Sequence, residues 1–325
     1  MTYGSKARWL AGFFFPAALL LGGCAGLAPQ TFALRDHPPA DLAPRAELPD
    51  VPFFPQDEYY CGPATLAMVL NAAGVKVSSD ALVEQVYTPG RKGSLQVEML
   101  AAARRNGMVA YVLEPELSHV LREVAAGTPV VALENHGLKW YPLWHYSVLV
   151  GYDLERREAI QHSGRDARKV LPLGLFEFLW KTEGRWAMVA VPPGRLPVTA
   201  SESRYAEAVV ALEKSGHTRN ARAAYEAMLK RWPSSLAGLM GSGNTAHALG
   251  DLERAETAFR QAAAAHPDSV AALNNLAQTL LDRGKLDAAL AAAERAVGLG
   301  GPLLPTARAT LEGIRARQRT MTRVQ

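Results

Sequence analysis

Three residues of this 325-residue chain have the types and spacing for nucleophilic acyl chemistry: Cys61, Gln56 five positions before it, and His145. A thiol attacks a carbonyl carbon as its thiolate, so it needs a base and a field that favours the anion. Cys61 opens the stretch Cys61-Gly62-Pro63-Ala64-Thr65-Leu66. Pro63 suits a first helical turn and Gly74 suits the stop of the same helix. The thiol is therefore expected at a helix N-terminus, where the macrodipole and free N–H groups favour negative charge. Gln56 carries an amide that can point at the oxygen turning negative during acyl transfer, and with the Cys61 N–H it would make an oxyanion hole. His145 opens an apolar run after the aromatic-rich Lys139–Trp144. A strand starting at a cleft rim lets an imidazole reach the thiol. The other candidates read more plainly: His136, after Glu134-Asn135, as a loop residue near the cleft, His119 as part of a helix, and Asp153 as the turn after the strand. No HExxH or other ligand spacing is present, and no metal or cofactor is expected.

These residues need elements to hold them. Helical stretches are predicted over 61–74 and near 79–87, 94–105, 116–126 and 173–181, and strands over 129–135, 145–153, 157–163 and 185–192. Helices segregated from an antiparallel sheet make residues 48–193 an α+β domain. Phe53, Phe54, Tyr59, Tyr60, Trp140, Tyr141 and Trp144 are available either to line a substrate cleft or to pack the core.

Gln56, the Cys61-Gly62-Pro63 turn and the run His145-Tyr146-Ser147-Val148-Leu149-Val150-Gly151-Tyr152 resemble the bacteriocin-leader-processing cysteine peptidases, peptidase family C-39. The resemblance covers about residues 48–193. It implies a papain-like fold, Cys61 as nucleophile, His145 as base and Gln56 as the group that polarises the oxyanion. The family also orients its histidine with an Asp or Asn, in the stretch that here reads Ile160-Gln161-His162-Ser163-Gly164. Neither residue is there. His162, Ser163 and Asp166 are the side chains left to receive the imidazole, with a backbone carbonyl or water as the alternative. Many family members sit on an export transporter, whereas this sequence has no transmembrane bundle and no nucleotide-binding motif, so a double-glycine leader substrate is not implied.

The second half repeats itself. Gly216, Gly250 and Gly284 are 34 residues apart, as are Ala221, Ala255 and Ala289, and the pairs Tyr225/Phe259 and Pro233/Pro267 keep the same step. This resembles the tetratricopeptide repeat, two helices per unit with a glycine at the turn and a small residue at the crossing. Three repeats are expected over 202–303 after a linker at 194–201, with 304–325 as a capping helix and tail. The fold class is then an α+β papain-like cysteine peptidase domain followed by an all-α tetratricopeptide repeat solenoid.

Composition limits the rest. At 49% hydrophobic and 20% charged the chain is globular rather than disordered. A net charge of +4 without a Lys/Arg run gives no footprint for nucleic acid. Lys6 and Arg8 precede an apolar run, Trp9–Leu21, too short for a comfortable membrane span and suited to a secretory signal. Leu21-Gly22-Gly23-Cys24 resembles a lipobox, which implies a lipoprotein signal over 1–23 and lipidation of Cys24. Ala25 leans the anchor toward the bacterial outer membrane, facing the periplasm. The proline-bearing residues 24–47 read as a tether. Cys61 would be the thiol left over in an oxidising compartment. The expected partners are a peptide or protein substrate, a protein on the concave face of the repeats, and the membrane through the lipid. The rival expectation is a peptide-binding scaffold without catalysis.

Overall fold

The computed structural model describes residues 28–56, 59–182 and 184–324. The expected signal segment, residues 1–23, and Cys24, the expected lipidation site, lie outside the described residues. Among the described residues no helix is long and apolar enough to cross a membrane. The described residues form two compact units, one within 28–72, 76–95 and 112–189, the other within 73–75, 96–111 and 190–324.

The first unit is α+β. Its elements are α1 (Pro29–Asp36), β1 (Arg45–Glu47), α2 (Cys61–Ala72), α3 (Ser79–Val86), a small hairpin of β2 (Tyr87–Thr88) and β3 (Gly93–Ser94), α5 (Leu117–Ala125), β5 (Val130–Asn135), β6 (Trp144–Asp153), β7 (Glu158–Ser163), β8 (Asp166–Pro172), α6 (Leu173–Lys181) and β9 (Ala187–Val191), whose last two residues fall in the second unit. The antiparallel order is β9-β5-β6-β7-β8. β6 is the central strand. Its first half pairs with β5, from Asn135↔Trp144 to Val130↔Leu149, and its last three residues pair with β1 on the edge that β5 leaves. A helix apolar on all sides must be buried on all sides, and α2 is: Gly62 through Leu70 are buried, against β5 and β6. That burial fixes where its first residue, Cys61, can stand.

Two expectations change here. From residue 28 on, the stretch read as a tether is part of the folded unit. The first N–H groups of α1 are capped by the buried Glu177 carboxylate (Gln30 N 3.0 Å, Thr31 N 2.7 Å), Tyr152 Oη donates to Ala43 O at 2.8 Å, and β1 extends the sheet. Prolines removed the periodicity without removing the packing. The strand β8 was also missed, because all but one of its residues lie outside the core and carry no alternating apolar signal.

The second unit holds α4 (Gln96–Arg105), most of β4 (Val109–Val112), and the helix pairs α7 (Glu202–Lys214)/α8 (Thr218–Arg231), α9 (Leu236–Ala248)/α10 (Leu252–Ala265) and α11 (Val270–Asp282)/α12 (Leu286–Leu299), closed by α13 (Leu304–Val324). Gly216, Gly250 and Gly284 stand just past the first helix of each pair with φ of +90°, +78° and +74°, the left-handed geometry that glycine adopts without steric cost. The aromatic of each early repeat lies against a helix backbone. A Cβ at Gly241 would fall 2.2 Å from Tyr225 Cζ, and one at Gly243 would fall 2.5 Å from Phe259 Cε1. Residues 96–111 join this unit through Asn220 Nδ2 donating to Gly107 O (2.8 Å), His217 Nε2 on Arg105 O (3.1 Å) and the Tyr111–Tyr205 ring contact (6.4 Å).

Candidate active site

Cys61 is the first residue of α2, with Ala64 N donating to Tyr60 O (3.2 Å) and Thr65 Oγ1 to Cys61 O (2.8 Å) in the opening turn. Tyr59, two residues before it, holds φ of +70°, a conformation costly for a side chain, as the chain turns into the helix. The thiol is free of any disulfide. Burial pushes it above the ordinary thiol value of 9.0, against the backbone N–H groups of Tyr146, Gly62 and Cys61 itself, which pull the other way. The helix start supplies the donors that sequence reasoning expected. The loss of water around the sulfur outweighs them, so the resting group is a thiol rather than a thiolate.

The backbone of Tyr146 joins two of the predicted residues, Cys61 and Gln56. Its N–H meets the Cys61 thiol, and its carbonyl lies 3.4 Å from Gln56 Nε2. Gln56 is buried, and its Oε1 accepts from Gly164 N at 2.9 Å while its own N–H donates to Gly164 O at 2.9 Å. A backbone N–H accepts nothing, so the Gly164 contact assigns the amide oxygen to that side and turns the NH₂ toward β6. His145, one residue before Tyr146, places Nε2 2.9 Å from Ser163 Oγ. Burial, first, and the neighbouring His136, second, lower His145 from 6.5 to about 4, with Glu134 opposing and Lys169 adding to the fall.

Of the three residues considered for orienting His145, Ser163 is the one within hydrogen-bond reach. Successive residues of a strand face opposite ways, so the neighbour of Ser163 turns elsewhere: His162 Nε2 lies 3.1 Å from Val51 O, with its ring edge-on to Phe53. Asp166 pairs with Ser163 across the β7–β8 hairpin and is exposed, with no hydrogen bond to His145 among those described. The aromatic residues do not form a core. Trp140 is 81% exposed, Tyr141 69% and Trp144 49%, and Tyr59 and Tyr60 are exposed as well. Two cavities of about 450 and 410 Å³ lie along α1 and β8 and along β1, and neither is lined by Cys61 or His145.

Residues 48–182 match the family described as Peptidase C39 like, and residues 205–259 and 243–303 match the tetratricopeptide repeat. The chain carries a C39-like domain followed by tetratricopeptide repeats. Among solved structures, one described as a C39-like peptidase from Bacillus anthracis is similar at 20% identity and a TM-score of 0.39, over 45% of this chain and 97% of that one. The type III secretion translocator chaperone SycD of Yersinia enterocolitica is similar at 19% identity and a TM-score of 0.35, over 37% and 96%. A structure of SycD in complex with a peptide of the translocator YopD has 18% identity and a TM-score of 0.34, over 37% and 97%. No curated protein matches the chain.

Sequence reasoning missed one feature of the C39-like domain. Glu134, fully buried, faces His145 across the β5–β6 ladder, and its carboxylate binds His136 Nε2 at 2.8 Å. The His136 ring lies 4.9 Å from that of His145. A Glu-x-His step beside a histidine-led strand was the available signal. It was unreadable as a pair because His136 sits in a turn, where no periodicity sets its direction.

Proposed function

We propose that the C39-like domain is a cysteine peptidase acting through a covalent thioester. The observation that carries this reading is that Cys61 and Gln56 both bond the backbone of Tyr146, the residue that follows His145. His145, oriented through Nε2 by Ser163, takes the Sγ proton at Nδ1. The sulfur attacks the substrate carbonyl carbon, and the oxygen turns negative against Gln56 Nε2 and the Cys61 N–H. Collapse breaks the C–N bond, and the amine leaves with the proton from His145. Water, deprotonated by His145, then hydrolyses the thioester. The substrate is a peptide or protein. The repeats recruit a protein partner and raise its local concentration at the site, and lipidated Cys24 holds the molecule at the outer membrane facing the periplasm.

A second reading has its own support. Ser163 is neutral where a carboxylate or amide would strengthen the base, and burial opposes the thiolate. Both suit a peptide-binding scaffold that does not turn over. Cleavage of a mixed peptide library, with wild type beside Cys61→Ser and His145→Ala, separates the two. Cleavage lost in both variants supports the peptidase. Bound but uncleaved peptides, with Cys61 alkylation indifferent to His145, support the scaffold.

A further inference from the structure

A carboxylate–imidazole pair does stand at this centre, but on the second histidine. His136 Nε2 is 2.8 Å from Glu134 Oε2. The other carboxylate oxygen receives Ser147 Oγ and, at 2.7 Å, Gln161 Nε2, which also lies 3.1 Å from Ser147 Oγ. All three of Glu134, Ser147 and Gln161 are fully buried. Desolvating a carboxylate is costly unless donors surround it, and this one is held by donors from three neighbouring segments: the turn after β5, β6 and β7. The outcome is a fixed imidazole. The His136 ring stands 4.9 Å from His145 at an interplanar angle of 53°.

We propose that Glu134 and His136 are positioning residues of the Cys61–His145 centre: the buried carboxylate anchors the His136 imidazole against the His145 ring, where a charge on either imidazole disfavours a charge on the other. The inference rests on His145 being the base for Cys61. The groups that bear on His145 are Glu134 and His136 from β5 and its turn, Ser163 from β7 and Lys169 from β8. Glu134 acting alone would favour a charged His145, whereas His136 and Lys169 disfavour it. With its carboxylate bound to His136 and a neutral hydroxyl on His145, the site rests as thiol and neutral imidazole rather than as an ion pair. The nucleophile is then ionised by general-base transfer as the substrate carbonyl is attacked, with the proton moving from Sγ to His145 and no charge held beforehand.

The test uses the full chain and reads two quantities by mass spectrometry: hydrogen–deuterium exchange at the His145 C2 position against pH, and iodoacetamide alkylation of Cys61 between pH 5 and pH 8. His136→Gln removes the cation and keeps a group able to bond Glu134, while His136→Lys restores a cation. His136 lies on a partly exposed turn, where both are accommodated. The expected result is a His145 midpoint near 4 in the wild type, raised by roughly one unit in His136→Gln and kept low in His136→Lys. Alkylation of Cys61 below neutral pH rises by up to about tenfold in His136→Gln, the same unit read as an equilibrium constant. An unmoved midpoint in His136→Gln overturns the proposal. Equal shifts in both variants also overturn it, because packing rather than charge then explains the effect. Adding His145→Ala separates the two levels: if Cys61 alkylation ignores that change in the wild type, the Cys–His reading itself fails, whatever His136 does.

Discussion

His145 titrates where burial makes charge expensive, and that ties its chemistry to stability. Its folded-state value, about 4, lies below the ordinary 6.5. The native state therefore binds its proton more weakly than the unfolded chain does. The stability this contributes is complete above pH 6.5 and is lost as pH falls through 4, to an upper bound of about 3 kcal/mol. Urea unfolding at pH 7 and pH 4 should show that loss in the wild type and a smaller one in His145→Gln. Ser163 makes a different prediction. A neutral hydroxyl contributes one ordinary hydrogen bond, worth about 1 kcal/mol, so Ser163→Ala should lower Cys61-dependent turnover by less than about tenfold. Ser163→Asp should raise the His145 midpoint, read by the same C2 exchange. The helix start at Cys61 and the strand start at His145 were legible because residue type and order carry them. The raised thiol was not, since burial is a property of the packed surroundings and has no mark at position 61.

At the scale of elements, the repeats were the easiest to read. A 34-residue step fixes turn glycines and helix crossings together, and each column has one steric reason. Gly241 tests this. Tyr225 occupies the space of its missing side chain, so Gly241→Ala should destabilise by roughly 1–3 kcal/mol. Gly313, in α13 with open space around it, should instead gain roughly 0.5–1 kcal/mol on changing to Ala. Thermal melts followed by helical circular dichroism distinguish the two. Glu256 supplies a pH signature. Burial pushes its carboxyl up, yet Lys285, Arg260 and Arg283 around it bring the net value below 4.5. Its contribution is present above pH 4.5 and is lost as pH falls below it. The acid limb of the repeat transition should therefore be shallower in Glu256→Gln. The edge elements β1 and β8 were illegible for the opposite reason: three residues, or seven mostly exposed ones, show no periodicity, and pairing with the backbone of β6 or β7 is what makes them strands.

For the whole molecule, the division into units departs from chain order. Residues 96–111 lie within the C39-like match yet pack with the first repeat pair, through Asn220 on Gly107 and His217 on Arg105. A fragment of residues 28–193 leaves those partners behind and should melt below the transition of the full chain in differential scanning calorimetry. An equal melting temperature would mean that these contacts add nothing. Removing residues up to 47 should also destabilise, because it strips β1 from β6 and leaves the Glu177 carboxylate without the α1 donors. By itself the sequence determined the α+β-then-repeat order, the helix start at Cys61 and the repeat period, because each depends on residue types at short or constant spacing. The tertiary structure alone decided that Ser163 rather than His162 or Asp166 meets His145, that Glu134 serves His136, and that residues 28–47 are folded. The Ser163 contact is set by strand register and by which face a side chain takes, so shifting the register by one residue would reverse it. Glu134 and His136 are neighbours in sequence, but the partners that bury and hold the carboxylate come from β6 and β7, and residues 28–47 fold against elements distant in the chain.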